Sequence, residues 1–314
     1  MNFSHKPVML KECIEGLNIK ADGIYVDGTL GGAGHSVEIL KLLGPEGLLI
    51  GIDQDREALE AARIKLKAVN TKGSFVTIHA NFENIRQILK AQKIKSIDGI
   101  LLDLGVSSHQ LDTEERGFRY LKDAPLDMRM DQNREFNARV LVNTWEKADI
   151  ARVIRDYGEE KWAVRIADFI CNARIQNEIT TTAQLVDIIK AAVPAAARRE
   201  GAHPAKRTFQ AIRIAVNREL EVLAKALPEM TESLKVGGRL CVITFHSLED
   251  RIVKQFIRSK SGRCTCPPGF PKCICNAVAE LRATPSKPII PSKQELEDNH
   301  RARSAKLRVA EKLI

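Results

Sequence analysis

Short apolar runs and helical periodicities alternate through the first third of the chain. Ile24–Asp27, Leu48–Asp53, Phe75–His79 and Gly99–Asp103 read as strands. Val37–Leu43, Glu57–Val69 and Ile85–Gln92 carry apolar residues at helical spacing between them. This rhythm predicts a parallel sheet with helices on both faces. A fifth strand, Leu240–Phe245, follows the turn at Gly237-Gly238.

Between Asp103 and Leu240 lie 136 residues, far more than a strand–helix–strand crossover uses. The excess predicts an inserted helical domain. Ile150, Val153, Ile154 and Tyr157 recur at i, i+3, i+4, i+7, as do Leu185, Ile188, Ile189 and Ala192. Thr181 or Thr182 is the expected cap of the second helix, and Pro194 its end. Phe209, Ile212, Val216, Leu220 and Leu223 predict one long helix leading back to the sheet. The expected division is 1–110 and 207–314 for the sheet domain and 111–206 for the insertion. Pro285, Pro288 and Pro291 mark an extended loop, and no internal repeat is evident.

The turns between these elements carry the chemistry. Asp27-Gly28-Thr29-Leu30-Gly31-Gly32-Ala33-Gly34-His35-Ser36 joins the first strand to a helix. Glycines there let the backbone approach a ligand and point helix N–H groups at it. Asp53, 17 residues beyond Ser36, ends the second strand, where a carboxylate grips ribose hydroxyls. These features predict a nucleotide-type cofactor and suit a dinucleotide dehydrogenase as well as a methyl donor.

The fourth strand ends in Asp103-Leu104-Gly105-Val106-Ser107-Ser108-His109-Gln110. Ligands of doubly wound sheets sit beyond the carboxyl ends of strands, so Asp103 faces the same crevice as the glycine turn. An acid followed by a tight turn resembles the motif of methyltransferases acting on exocyclic amines. Such an amine is conjugated with its ring and is a poor nucleophile. Hydrogen bonds to a carboxylate favour pyramidal nitrogen and aim its lone pair at the methyl carbon. Positioning of this kind supplies roughly 7–11 kcal/mol, and an acid also favours a cationic sulfonium.

Net charge narrows the partner. All of the formal +9 falls within 251–314, where fourteen Lys/Arg face five Asp/Glu, so the rest of the chain sums to zero. Such an excess suits a polyanion or a solvated basic surface. No uncharged run approaches the ~18 residues of a membrane span. Met1–Glu12 has no apolar signal core, so a cytoplasmic location is expected.

Cys13, Cys171 and Cys241 sit among apolar residues as small hydrophobes. Cys264, Cys266, Cys273 and Cys275 form two C-x-C pairs six residues apart, a candidate structural zinc site. A disulfide pair or uncoordinated thiols remain alternatives. His246 follows the fifth strand and suits an RNA contact, while Ser247-Leu248-Glu249-Asp250 equally suits a helix capping box. Asp127 or Arg129 is expected to act in function, and Trp145 and Trp162 to pack between helices.

Taken in order, several stretches carry a family resemblance. They are His5–Leu10, Asp27–Ser36, Leu101–Gln110, Glu115–Phe118, Pro125–Met130, Tyr157–Glu160, Arg207–Ala211, Phe245–Arg251 and Arg301–Ala305. The chain resembles, over nearly its whole length, the bacterial S-adenosylmethionine-dependent methyltransferases that modify N4 of a cytidine in the decoding region of 16S ribosomal RNA. The resemblance implies a Rossmann-like class I methyltransferase fold, α/β, with a doubly wound, mainly parallel sheet and an inserted all-helical domain. It implies that Ala33, Gly34 and His35 contact the methionine portion of the cofactor and that Asp53 holds the ribose. It places Phe82 beside the adenine and has Asp103 and Gln110 complete the site, Asp103 nearest the methyl group. The implied partner is 16S rRNA or the small ribosomal subunit, held by Arg198, Arg199, Lys206 and Arg207 and by the basic C-terminal region. No membrane role follows, and monomer and homodimer both fit. His300 departs from the family, where a proline usually precedes Arg-Ala-Arg-Ser. The motifs alone also admit amino-methylation of DNA or another RNA, and a non-catalytic RNA-binding assembly factor.

Overall fold

The computed structural model describes residues 7–199, 203–264, 266 and 277–314. Two compact units form, one from residues 1–105 with 220–314 and the other from 106–219.

The first unit begins with α1 (Leu10–Leu17) and β1 (Ile24–Asp27). It continues with α2 (Gly34–Leu42), β2 (Leu48–Asp53), α3 (Arg56–Lys67) and β3 (Ser74–His79). Next come α4 (Ile85–Ala91) and β4 (Ile97–Asp103). The second unit holds α5 (Ser108–Asp112), α6 (Ala138–Thr144), α7 (Lys147–Gly158) and α8 (Ala163–Gln176). There follow α9 (Thr182–Ala192), α10 (Ala195–Arg199) and α11 (Ala205–Asn217). The chain then runs through α12 (Glu219–Ser233), β5 (Leu234–Thr244) and α13 (Ser247–Ser259). It closes with β6 (Leu281–Ala283), α14 (Lys293–Asp298) and β7 (Lys306–Lys312).

The sheet order is β3-β2-β1-β4-β5-β7-β6. β1 to β5 pair in parallel, and β7 alone runs antiparallel, between β5 and β6. Consecutive side chains of a strand face opposite ways. Leu101 therefore packs beside α1 and α2, while Ile100 and Leu102 pack beside α4 and α12. Burial on both faces explains why the central strands read as unbroken apolar runs.

β6 and β7 lie where the sequence indicated only an extended, basic region. In β7, Leu307, Val309 and Ala310 are buried, and the apolar run is short because Lys306, Arg308, Glu311 and Lys312 flank and interrupt it. Arg308 donates to Asp250 at 2.7 and 3.2 Å, and Lys306 also reaches Asp250. Arg282 pairs with Glu311, and Lys260 with Glu280. Part of the C-terminal positive charge is thus neutralised within the fold.

The helical unit is wider than the expected 111–206 on both sides. Its core joins Ile150 and Ile154 of α7, Ile166 and Ile170 of α8, Leu185 and Ile189 of α9, and Phe209 and Ile212 of α11. α7 and α11 come very close at Gly158, where a Cβ would lie 2.7 Å from the Arg207 carbonyl. Thr181 caps α9 in a capping box with Gln184, as the sequence indicated. The single long helix expected through Phe209–Leu223 is instead two, α11 and α12, parted at Arg218 with φ 53°. Buried Asn217 ends α11: its side chain accepts from Met130 N and donates to Met128 O and Arg213 O. The apolar period runs through both helices, so it could not reveal the break.

Candidate active site

The glycine turn is tied to both neighbours of β1. Gly28 N donates to Leu101 O of β4 at 2.9 Å, and Leu30 N donates to Ile52 O of β2 at 3.0 Å. A Cβ on Gly28 would lie 2.6 Å from Leu102 Cδ2 and 3.3 Å from Phe82 Cβ, so only glycine allows this approach. Ala33 adopts φ 59° and starts α2 with no side-chain cap. The first turn of α2 therefore offers N–H groups and a positive helix end to a ligand. Lys65 donates to Gly32 O at 2.9 Å across the outside of the turn.

Three carboxylates surround this turn. Asp27 is buried, accepting from Ser36 Oγ at 2.7 Å and from Thr29 N at 3.2 Å; burial still lifts its pKa to about 6. Asp53, at the end of β2, accepts from Gly31 N at 2.7 Å and from Asp55 N at 2.9 Å. Its pKa is also pushed up to about 6, chiefly by desolvation among protein atoms. Asp103 ends β4, and its own N–H donates to Thr29 Oγ1 at 2.6 Å. Its side chain keeps 26% of its accessible surface, yet Oδ1 is buried and has no hydrogen-bond partner among the described residues. Burial first, then the negative charges of Asp27 and Glu249, raise the Asp103 pKa to about 8.

His35 is buried in the first turn of α2. Its Nε2 lies 2.9 Å from Val8 O, and a carbonyl only accepts, so Nε2 carries a proton. Nδ1 faces Asp103 Oδ2 at 3.8 Å. Phe82 opens a short 3₁₀ turn after β3, half-buried beside Gly28. The fold thus brings Ala33, Gly34, His35, Asp53, Phe82 and Asp103 to the carboxyl edge of the sheet.

Gln110 belongs to the helical unit. It is buried in a capping box, its N–H donating to Ser107 Oγ and its Oε1 accepting from Ser107 N. His246 itself caps α13, with Glu249 completing the box, so the cap falls one residue earlier than Ser247. Buried Glu249 accepts from Phe245 N at 2.8 Å, and its charge reaches Asp103. Asp127 and Arg129 pair with each other at 2.6 and 2.9 Å, and Arg129 also binds Gln132 O. Their visible work is to hold this segment together. Trp145 stacks on Phe136 at 5.5 Å and Trp162 packs on the helical core, as expected of packing residues. Cys264 is exposed and Cys266 half-buried, while Cys273 and Cys275 lie outside the described residues.

Asp27, Thr29 and Glu249 act on Asp103, yet sequence reading gave them no part in the site. Asp27 and Thr29 stood in the glycine motif itself. For Glu249 the signals were its place in a capping pattern and within the family stretch Phe245–Arg251.

The family model of the MraW methylase family matches residues 2–313. The chain belongs to that family. It is 58% identical over 313 residues to ribosomal RNA small subunit methyltransferase H of Acetivibrio thermocellus, covering 100% of both chains. The namesake protein of Clostridioides difficile is 53% identical over 313 residues, again covering 100% of both. A solved rRNA methylase from Streptococcus thermophilus aligns over 100% of both chains at 11% identity and a TM-score of 0.44. Membership of the MraW methylase family sets the dehydrogenase alternative aside, and the sheet order is that of a class I methyltransferase. Among the described residues no helix is long and apolar enough to cross a membrane.

Proposed function

We propose that this chain transfers a methyl group from S-adenosylmethionine to the exocyclic N4 of a cytidine in the decoding region of 16S rRNA. The observation that carries the reading is the buried, unpartnered Oδ1 of Asp103 beside an uncapped helix start. A buried polar atom without a partner costs free energy unless a ligand meets it. Such a site fits a cation and an amine donor. The relatives' shared name, ribosomal RNA small subunit methyltransferase H, supports rRNA as the acceptor.

Bound S-adenosylmethionine supplies the methyl group on a sulfonium. Ala33, Gly34 and His35 hold its methionine part in this reading, Asp53 its ribose and Phe82 its adenine, and the family resemblance adds Gln110 to the cofactor's contacts. Asp103 ionises beside the cation and accepts a hydrogen bond from the amine, turning the nitrogen lone pair toward the methyl carbon. With S-adenosylmethionine bound, the amine nitrogen would take the methyl group from the sulfonium and give up a proton. A carboxylate with a raised pKa is suited to take it. The cytidine leaves its stack first, at a cost of a few kcal/mol. Exposed Arg198, Arg199, Lys206 and Arg207 of the helical unit contact the surrounding RNA.

Mass-spectrometric nucleoside mapping of 16S rRNA from cells with and without this protein tests the reading. N4-methylcytidine is expected to disappear without it, and an unchanged level overturns the reading. The four-cysteine zinc site rests on spacing alone. Metal analysis of purified protein checks it, and absence of zinc rules it out.

A further inference from the structure

One cluster of unneutralised charge in the sheet unit lies far from Asp103. A depression of about 590 Å³ opens between α4, the loop after it and the end of α12. Arg86, Lys90, Lys93 and Lys95 line it, with Glu232 as its only acid. Arg86 pairs with Glu232, and Lys312 donates to Glu232 O at 3.1 Å. Lys90, Lys93 and Lys95 are exposed, and their side chains have no ion pair or hydrogen bond among the described residues.

Helix ends explain only part of this. α4 and α12 both finish at the depression, and each C-terminus carries about half a negative charge. Lys90 and Lys312 suffice to complement the two ends. Lys93 and Lys95 come after α4 has ended and remain in excess. The C-terminal cations named above, by contrast, are paired with carboxylates.

Lys95 stands two residues before β4, and Asp103 ends that seven-residue strand. The depression is therefore about 20 Å from the methyl-transfer site along the sheet. A ligand touching both is extended and polyanionic. We propose that this depression docks the phosphate backbone of the RNA substrate at a point remote from the modified base. The proposal rests on rRNA as the substrate. Protein interfaces are depleted in lysine and centred on aromatic anchors. This lining has three lysines and no aromatic residue, which favours phosphate over an acidic protein.

The test compares the full-length protein with a Lys90→Gln/Lys93→Asn/Lys95→Gln variant. Asparagine suits position 93 because the backbone there has φ 59°. Binding to unmethylated small ribosomal subunits is measured across a salt series. Each lost phosphate contact lowers the slope of log K against log salt by about 0.7–0.9. The expected result is a slope smaller by about 2 to 3 and affinity weaker by about 100- to 500-fold near 0.1 M salt. KM for subunits rises, while kcat and S-adenosylmethionine affinity stay unchanged. Unchanged slope and affinity overturn the proposal. A photocrosslinking amino acid at position 93 reads the partner directly. Crosslinks to rRNA support the proposal; crosslinks to ribosomal protein alone, or none, overturn it. If the wild-type protein binds subunits without methylating them, the reading of its activity falls, and the salt comparison still decides the docking surface.

Discussion

Asp103 is held by geometry that works against its own charge. Its Oδ1 lacks a partner, and Asp27 and Glu249 repel the ionised form, so its pKa stands at about 8. An unfolded aspartate titrates near about 4. The folded state therefore binds the proton more tightly, and stability from this group is full below about pH 4 and is lost as pH rises through about 8. Asp27 and Asp53 act in the same direction between about pH 4 and about 6. Melting temperatures should thus fall between pH 6 and pH 8 in protein without ligand, and less steeply in Asp103→Asn. The cation has the opposite dependence. Calorimetric titration should show S-adenosylmethionine binding more tightly as pH rises toward about 8, with that rise absent in Asp103→Asn. Asp103→Ala should lose methyl transfer, read by labelled methyl incorporation, while keeping the wild-type circular dichroism spectrum. Retained transfer in that variant would remove Asp103 from the reaction.

At the scale of elements, turns and caps were legible where a local rule governs them. Thr181 and Gln184 stand three apart before an apolar helix, and the capping box forms there. Thr181→Ala should lower the stability of the helical unit by about 1 kcal/mol, measured by denaturant unfolding. The glycine turn was legible for the same reason, although its tight fit against Leu102 and Phe82 was not. Gly28→Ala forces a methyl into that contact and should cost about 1–3 kcal/mol. Cofactor affinity in that variant should fall with it, as a titration would record. Local rules failed where side chains from elsewhere intervene. Asn217 is drawn to backbone groups near residue 130 and breaks a helix whose apolar period is uninterrupted. His246 replaces Ser247 as a cap because Glu249 turns back to the Phe245 and His246 N–H groups.

On the scale of the whole molecule, the helical unit has its own core, built from α6 to α9 and α11. The segment 106–219 expressed alone should be helical and unfold cooperatively, as far-ultraviolet circular dichroism would show. A non-cooperative melt would mean that this core depends on the rest of the chain. The alternating strands and helices, the glycine turn and the acids ending β2 and β4 could be read from sequence alone. Each depends on periodicity or on spacing within a few residues, which a linear chain displays. The tertiary structure alone decided the antiparallel insertion of β7, the pairing of Arg308 with Asp250 58 positions away, and the raised pKa of Asp103. It also decided which of the many cations remain unpaired. Charges and burial act through space, and separation along the chain does not weaken them.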